Sequence, residues 1–167
     1  GGDALPIEIL DAAKLEGTLE SQGIVVNRKK RKEIILSGLL SAAAEVDGRV
    51  PESLVDQKDN DNLLSEVNNL VEAPLPIRGE FEKEFLRLPS EVLVTVMKKH
   101  QRYFPVTSQS GELLNSFVTI SNGKVDGETV RRGNESVLRA RYADAAFFYD
   151  KDVSKPLSDF VPGLEGL

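Results

Sequence analysis

Arg102-Tyr-Phe-Pro-Val-Thr-Ser-Gln-Ser-Gly-Glu-Leu-Leu-Asn-Ser-Phe-Val-Thr-Ile-Ser121 decides the fold of this chain. Two runs rich in aromatic and β-branched residues, 102–107 and 114–121, flank Ser108-Gln-Ser-Gly-Glu112. That spacer has the length and glycine content of a hairpin loop, and strands joined so closely pair antiparallel. Asn122-Gly123 ends the second strand, because glycine accepts positive φ at no steric cost.

Helical patterns surround the hairpin. Ser90 caps a helix through Lys99, with Val92, Leu93, Val96 and Met97 on its inner side. Asn60 or Asp61 starts an earlier helix whose Leu63, Val67, Leu70 and Val71 share one face, and Pro74 and Pro76 end it. Between these two, 77–85 looks extended, with Gly79 breaking any helix. Asn27 caps a longer helix in which Ile35, Leu39, Ala42 and Val46 follow the spacing of a buried stripe, and Asp47-Gly48 ends it. The stretch 51–61 is polar and reads as a loop. Nearer the start, 5–10 alternates weakly as a short strand, Asp11 caps a helix to about Gln22, and 24–26 is β-prone. Beyond the hairpin, Asp126 caps a helix to about Arg132, Gly133-Asn134 reads as a turn, and 137–149 forms the last clear helix. Helices interspersed with hairpin-joined strands predict a mixed α/β (α+β) fold with a partly antiparallel sheet and packed helices. Residues 1–153 read as a single α/β domain, and the prolines and glycines of 154–167 as a linker or tail.

The 167 residues are enough to bury a core without disulfides or metals. With no cysteine and one histidine, His100, a zinc site has too few ligands, and the lack of cysteine fits a reducing compartment. The apolar runs are too short to span a membrane, and no leader with a charged start and an apolar centre is visible. A net charge of −6 argues against a generic nucleic-acid binder. The distribution points the other way. Residues 1–70 hold 8 Lys/Arg against 13 Asp/Glu, whereas 97–141 hold 8 Lys/Arg against 4 acids, a local balance of +4. Such a surface can attract phosphates on an acidic chain.

Three blocks stand out: Met97-Lys-Lys-His-Gln-Arg-Tyr-Phe104, Ser121-Asn-Gly123, and Gly133-Asn-Glu-Ser-Val-Leu-Arg-Ala-Arg-Tyr-Ala-Asp-Ala-Ala-Phe-Phe148. Cations at a helix C-terminus are favoured by the macrodipole, so Lys98, Lys99 and Arg102 need no ligand to exist. The functional alternative is phosphate contact by these three, with His100, Gln101 and Tyr103 near a sugar or base edge. His100 has no partner acid or nucleophile nearby to make it a general base. In the third block Asn134 can bond the backbone of the expected turn, and Glu135 suits a helix start. Arg141, Asp144 and Phe148 fall on one helical stripe, which predicts an internal Arg141–Asp144 pair beside a core aromatic and leaves Arg139 facing outward. Phe147, Phe148 and Tyr149 read as core or interface rings. Arg28-Lys-Lys-Arg-Lys32 reads as a solvated helix start, with an RNA-binding patch as the alternative. No phosphate-binding glycine loop, nucleophile elbow or paired catalytic carboxylates appear, so the residues read as non-catalytic.

The ordered blocks, together with Leu64-Ser-Glu-Val67, Leu70-Val-Glu72, Pro74, Phe85-Leu86 and Leu88-Pro89, resemble the beta subunit of the bacterial-type, two-subunit glycyl-tRNA synthetase. The resemblance covers Asp11 to about Asp152 and identifies the chain as an internal piece of the N-terminal half of such a subunit, part of a larger domain. It implies an ATP-dependent ligase, using ATP with magnesium, whose adenylate-forming site lies in a separate alpha subunit or a fused alpha region; no cofactor is expected in this piece. It also implies glycine tRNA, the alpha subunit and the rest of beta as partners, no membrane, and a bacterial cytoplasmic or plastid location. The fold it implies is similar to the editing-type domain in the large subunit of phenylalanyl-tRNA synthetase. On this basis Lys98, Lys99, His100, Gln101, Arg102, Arg131, Arg132 and Arg139 are the candidate tRNA contacts. The expected role is a structural, tRNA-contacting module, with a hydrolytic editing domain or a protein-only scaffold as alternatives.

Overall fold

A computed structural model describes residues 24–154. The strand expected at 5–10, the helix at 11–22 and, apart from Ser154, the tail lie outside the described residues. In chain order the elements are α1 (Arg28–Ala44), α2 (Glu52–Val55), α3 (Leu63–Asn68), β1 (Pro74–Glu80), a 3-10 segment (Lys83–Arg87), α4 (Ser90–Thr95) running into a π-helical segment (Val96–Gln101), β2 (Phe104–Thr107), β3 (Leu113–Asn122) and α5 (Gly127–Ser154). The fold is mixed α+β with an antiparallel sheet, as the hairpin requires. The sheet order is β1-β3-β2, with both pairings antiparallel.

Alternation along the strands splits the core in two. Phe104, Val106 and Val118 point to one face, where Ile35, Leu39, Leu54, Leu64 and Val67 from α1–α3 cover them. Tyr103 and Phe117 point to the other, against Leu93, Met97, Leu138 and Tyr142 from α4, the π-helical segment and α5. The sheet is thus sandwiched between two helical layers. Gly79 lets that second layer close: a Cβ there would sit 2.5 Å from the Phe117 ring. Asn27 caps α1 as expected, its side chain accepting the Lys30 N–H at 2.9 Å.

Several expectations are corrected. Asn62, rather than Asn60 or Asp61, caps α3, accepting the Ser65 N–H at 3.0 Å. The extended segment is Pro74–Glu80, and 83–87 turns into 3-10 helix. Prolines are tolerated in β1 because it is an edge strand. The helix from Ser90 keeps α geometry only to Thr95 and then widens into π-helix. No turn occurs at Gly133-Asn134: α5 is one helix of 28 residues. A Cβ at Gly133 would meet nothing within 4 Å, so glycine costs only helix propensity there, about 1 kcal/mol.

Candidate functional site where three sequence blocks meet

The π-helical segment ends at Arg102, whose left-handed backbone (φ 56°, ψ 38°) is unusual for a side chain with a Cβ. That reversal sends Tyr103 into the α5 layer, where its ring stacks on Phe117 at 5.1 Å. The Tyr103 hydroxyl donates to Asn134 Oδ1 at 3.2 Å, and the Asn134 amide donates to Thr119 Oγ1 at 2.9 Å. Burial pushes the Tyr103 phenol above its ordinary pKa, so it stays a proton donor at neutral pH. Together with Arg102 and Ser121, these groups line an open cleft of about 200 Å³. One block supplies Arg102 and Tyr103, the hairpin's second strand supplies Thr119 and Ser121, and the third block supplies Asn134.

Neighbouring polar groups fasten the same elements. Asn122 Oδ1 accepts the Glu72 and Ala73 N–H groups, each at 3.0 Å, tying the end of β3 to the start of β1. Glu135 Oε2 accepts the Glu80 N–H at 2.8 Å, anchoring α5 on the edge strand. Sequence reasoning missed both links, and nothing in the spacing announces contacts across 50 and 55 residues. Asn134 bonds these side chains rather than a turn's backbone, since there is no turn.

The cations divide. Lys98 is half-buried and Lys99 exposed on the rim of a second cleft, about 490 Å³, shared with Asp59, Asp61 and Glu66. The side chains of His100 and Gln101 lie outside what the structure describes. Arg102 pairs with Glu66 at 2.6 Å. Arg131 grips Glu128 through two nitrogens at 2.5 and 3.1 Å, and Arg132 joins the same carboxylate at 3.2 Å. Arg139 is exposed but pairs with Glu82 at 2.6 Å. Burial raises the Glu82 carboxyl, but the hydrogen bond from Arg139, a bond from its own backbone and the Arg139 charge together outweigh it and hold the group below the usual carboxylate range.

The Arg141–Asp144 pair is absent: both residues are exposed, and among the described residues Arg141 has no hydrogen-bond or ion-pair partner. Phe148, expected in the core, is 49% exposed, and Phe147 is 65% exposed. The stripe that α5 buries is Leu138, Tyr142 and Ala146, one residue off the expected one. Its apolar i, i+4, i+8 spacing was the available signal. Tyr142, fully buried, donates its hydroxyl to the Leu93 carbonyl at 2.9 Å, which locks α5 to α4.

Among the described residues no three histidine, aspartate or glutamate side chains gather in a metal-binding arrangement. No described helix is long and apolar enough to cross a membrane. In the cleft the Tyr103 phenol, the Asn134 amide and the Thr119 hydroxyl bond one another beside Arg102 and Ser121, an arrangement that can position a ligand or a chain segment.

Comparison with known proteins leads to an aminoacyl-tRNA synthetase component. More particularly, the chain belongs to the glycyl-tRNA synthetase beta subunit family, whose sequence model matches residues 3–167. It is 45% identical over 159 residues to the chloroplastic/mitochondrial glycine–tRNA ligase 2 of Arabidopsis thaliana, covering 95% of this chain and 14% of that protein. It is 47% identical over 150 residues to a glycine–tRNA ligase beta subunit of Listeria monocytogenes, covering 89% of this chain and 21% of that subunit. For the Bacillus subtilis beta subunit the figures are 44% over 162 residues, 96% and 23%. The chain therefore spans less than a quarter of the relatives it matches.

Proposed function

We propose that this chain is a non-catalytic, tRNA-contacting and structural module of a glycyl-tRNA synthetase beta subunit, supporting the ATP-dependent ligation of glycine to its tRNA. The family match over 3–167 carries the reading. In it, residues 1–153 are one part of a larger domain of the subunit, 154–167 are a linker or tail, and the fold is akin to the editing-type domain of the phenylalanyl enzyme. ATP and magnesium act elsewhere, in an alpha subunit or fused alpha region. The alpha subunit, the remainder of beta and glycine tRNA are the partners. The location follows the relatives, bacterial cytoplasm or plant organelle.

The cleft supports a positioning role. Its tyrosine, asparagine and threonine bond one another, and so fix the π-helical segment that presents Lys98, Lys99 and Arg102. Of the candidate contacts named from the sequence, Lys98 and Lys99 are the strongest, because among the described residues neither is tied to a carboxylate, whereas the four arginines are. Arg102, Arg131, Arg132 and Arg139 would contact RNA by exchanging exposed ion pairs, which are individually weak.

The test is tRNA binding by the full-length protein across a salt series. With about three phosphates contacted, replacing Lys98, Lys99 and Arg102 by alanine should flatten the slope of log K against log salt by about 2 to 3. An unchanged slope in a folded variant removes this surface from the RNA interface. The chain by itself should support no glycine-dependent ATP–pyrophosphate exchange, and exchange above blank would overturn the non-catalytic assignment.

A further inference from the structure

The first turn of α1 presents a second group of cations, set differently from those of the motif blocks. Arg28, Lys29 and Lys32, with the amides of Gln57, Asn60 and Asn68, line a cleft of about 470 Å³ with no carboxylate among its described lining residues. The Arg28 guanidinium bonds the Asn69 side chain. The Lys32 ammonium donates to the carbonyls of Gln57 and Asp59 at 2.9 and 3.2 Å. Lys29 is exposed and makes no hydrogen bond or ion pair among the described residues.

In the same turn as these three is Arg31, only 8% exposed. Its Nε donates to Asn68 Oδ1 at 2.8 Å and its Nη1 to the Val25 carbonyl at 3.0 Å. Asn68 is itself held, its amide donating to the Arg28 carbonyl at 3.1 Å. Among the described residues no carboxylate lies within ion-pair distance of Arg31. Buried charges are ordinarily paired, and here neutral oxygens alone solvate one. Burial, reinforced by neighbouring Arg28, lowers the pKa of the guanidinium, although Glu72 at longer range partly offsets this. Among the described residues no carboxylate thus pairs directly with Arg28, Lys29, Arg31 or Lys32, which favours an anion in the cleft.

The lining narrows what that anion is. Arginine and lysine on one turn match phosphates, and the primary amides of Gln57 and Asn60, which both donate and accept, match a ribose 2′-hydroxyl. An acidic peptide offers no such hydroxyl. We propose that the cleft formed by Arg28, Lys29 and Lys32 is a separate docking site for the sugar–phosphate backbone of RNA. It reads charge and ribose without reading sequence. The site takes its partner, tRNA, from the function proposed above, but it shares no residue with the surface of Lys98, Lys99 and Arg102. The loop 56–62 stands between the two, with Gln57 and Asn60 lining this cleft and Asp59 and Asp61 lining the other.

The experiment measures binding of full-length protein to a glycine tRNA, to a tRNA of another isotype and to a DNA strand of the glycine tRNA sequence, over a salt series. Four proteins are compared with the parent: Arg28→Gln/Lys29→Gln/Lys32→Gln, Lys29→Glu, Lys98→Ala/Lys99→Ala, and Lys83→Gln as an exposed cation elsewhere. The triple variant should weaken both tRNAs about tenfold near 0.1 M salt and flatten the log–log slope by about 2 to 3. Its preference for RNA over DNA should shrink. Lys29→Glu, which breaks no bond of the fold, should move in the same direction with an unchanged melting temperature, and Lys83→Gln should match the parent. Parental affinity and slope in folded Lys29→Glu overturn the proposal, as does displacement of tRNA from this cleft by polyglutamate at equal charge. If only Lys98→Ala/Lys99→Ala weakens binding, this site falls and the first stands; if only the α1 variants do, the reverse holds.

Discussion

The two groups of cations in this molecule differ in what folding does to them. Five arginines lie in the segment 97–141 with the positive linear balance, yet the folded chain brings carboxylates to four of them, Arg141 excepted. Glu66 reaches Arg102, Glu82 reaches Arg139, and Glu128 holds Arg131 and Arg132 together. Glu66 and Glu82 lie outside 97–141, so counting charge along the sequence overstates the field of that surface. The α1 turn lies in the segment with a net negative balance, yet among the described residues Arg28, Lys29, Arg31 and Lys32 end with carbonyls and amides, or no bond, and no carboxylate. A local potential is set by which charges the fold juxtaposes. Here it reverses the ranking that the sequence gives.

Arg31 is where the contrast should be largest. Arg31→Met leaves Asn68 Oδ1 and the Val25 carbonyl without their donor in a buried site, at about 1–3 kcal/mol for each orphaned group. A total loss of about 2–4 kcal/mol in urea unfolding is expected. Arg139→Met, which breaks an exposed pair, should cost no more than about 1 kcal/mol. Equal losses would mean that the buried arginine is not structurally distinct from the paired surface ones.

Arg102 gives a smaller and more diagnostic effect, because it combines a pair with a strained backbone. Alanine removes the Glu66 pair and keeps a Cβ in the left-handed region; glycine removes both. Since left-handed backbone costs a side-chain-bearing residue roughly 1–2 kcal/mol, Arg102→Gly should be more stable than Arg102→Ala by about 1 kcal/mol. If the two unfold at the same urea concentration, the φ of 56° is not a source of strain.

How much of this was legible in the sequence depended on distance along the chain. The hairpin, the Asn27 cap and the Ile35–Leu39–Ala42 stripe are local patterns, and all three appear in the structure. The third strand was blurred because edge position, which makes Pro74 and Pro76 harmless, is a property of the sheet and not of the segment. The α5 stripe was misjudged because an Arg–Asp spacing outweighed the apolar Leu138–Tyr142–Ala146 spacing, and burial follows apolar area. The candidate cleft was legible only as three blocks: their meeting through Tyr103, Thr119 and Asn134 is a tertiary event. The same holds for the remote carboxylates that neutralise the block arginines.

The smallest expected effect concerns Glu128, on which the neutralisation of Arg131 and Arg132 depends. Its carboxyl is held below the ordinary glutamate range, first by the hydrogen bond from Arg131 and then by the charge of both arginines. A folded-state pKa below the unfolded one means that the clamp's contribution is complete above the unfolded value, roughly pH 4.3, and is lost as pH falls through the folded value. Between pH 7 and 5 the start of α5 should therefore be insensitive to pH, and the Glu128 carboxyl resonance should titrate with a midpoint below that of a free glutamate. Glu128→Gln releases Arg132 at neutral pH and leaves Arg131 only its longer contact with Glu135 at 4.0 Å, without touching the α1 turn. If those arginines lie against RNA, tRNA affinity should rise by about twofold, on the scale of one exposed ion pair, and the salt dependence should steepen. An affinity unchanged by Glu128→Gln would leave Arg131 and Arg132 as braces of α5 alone.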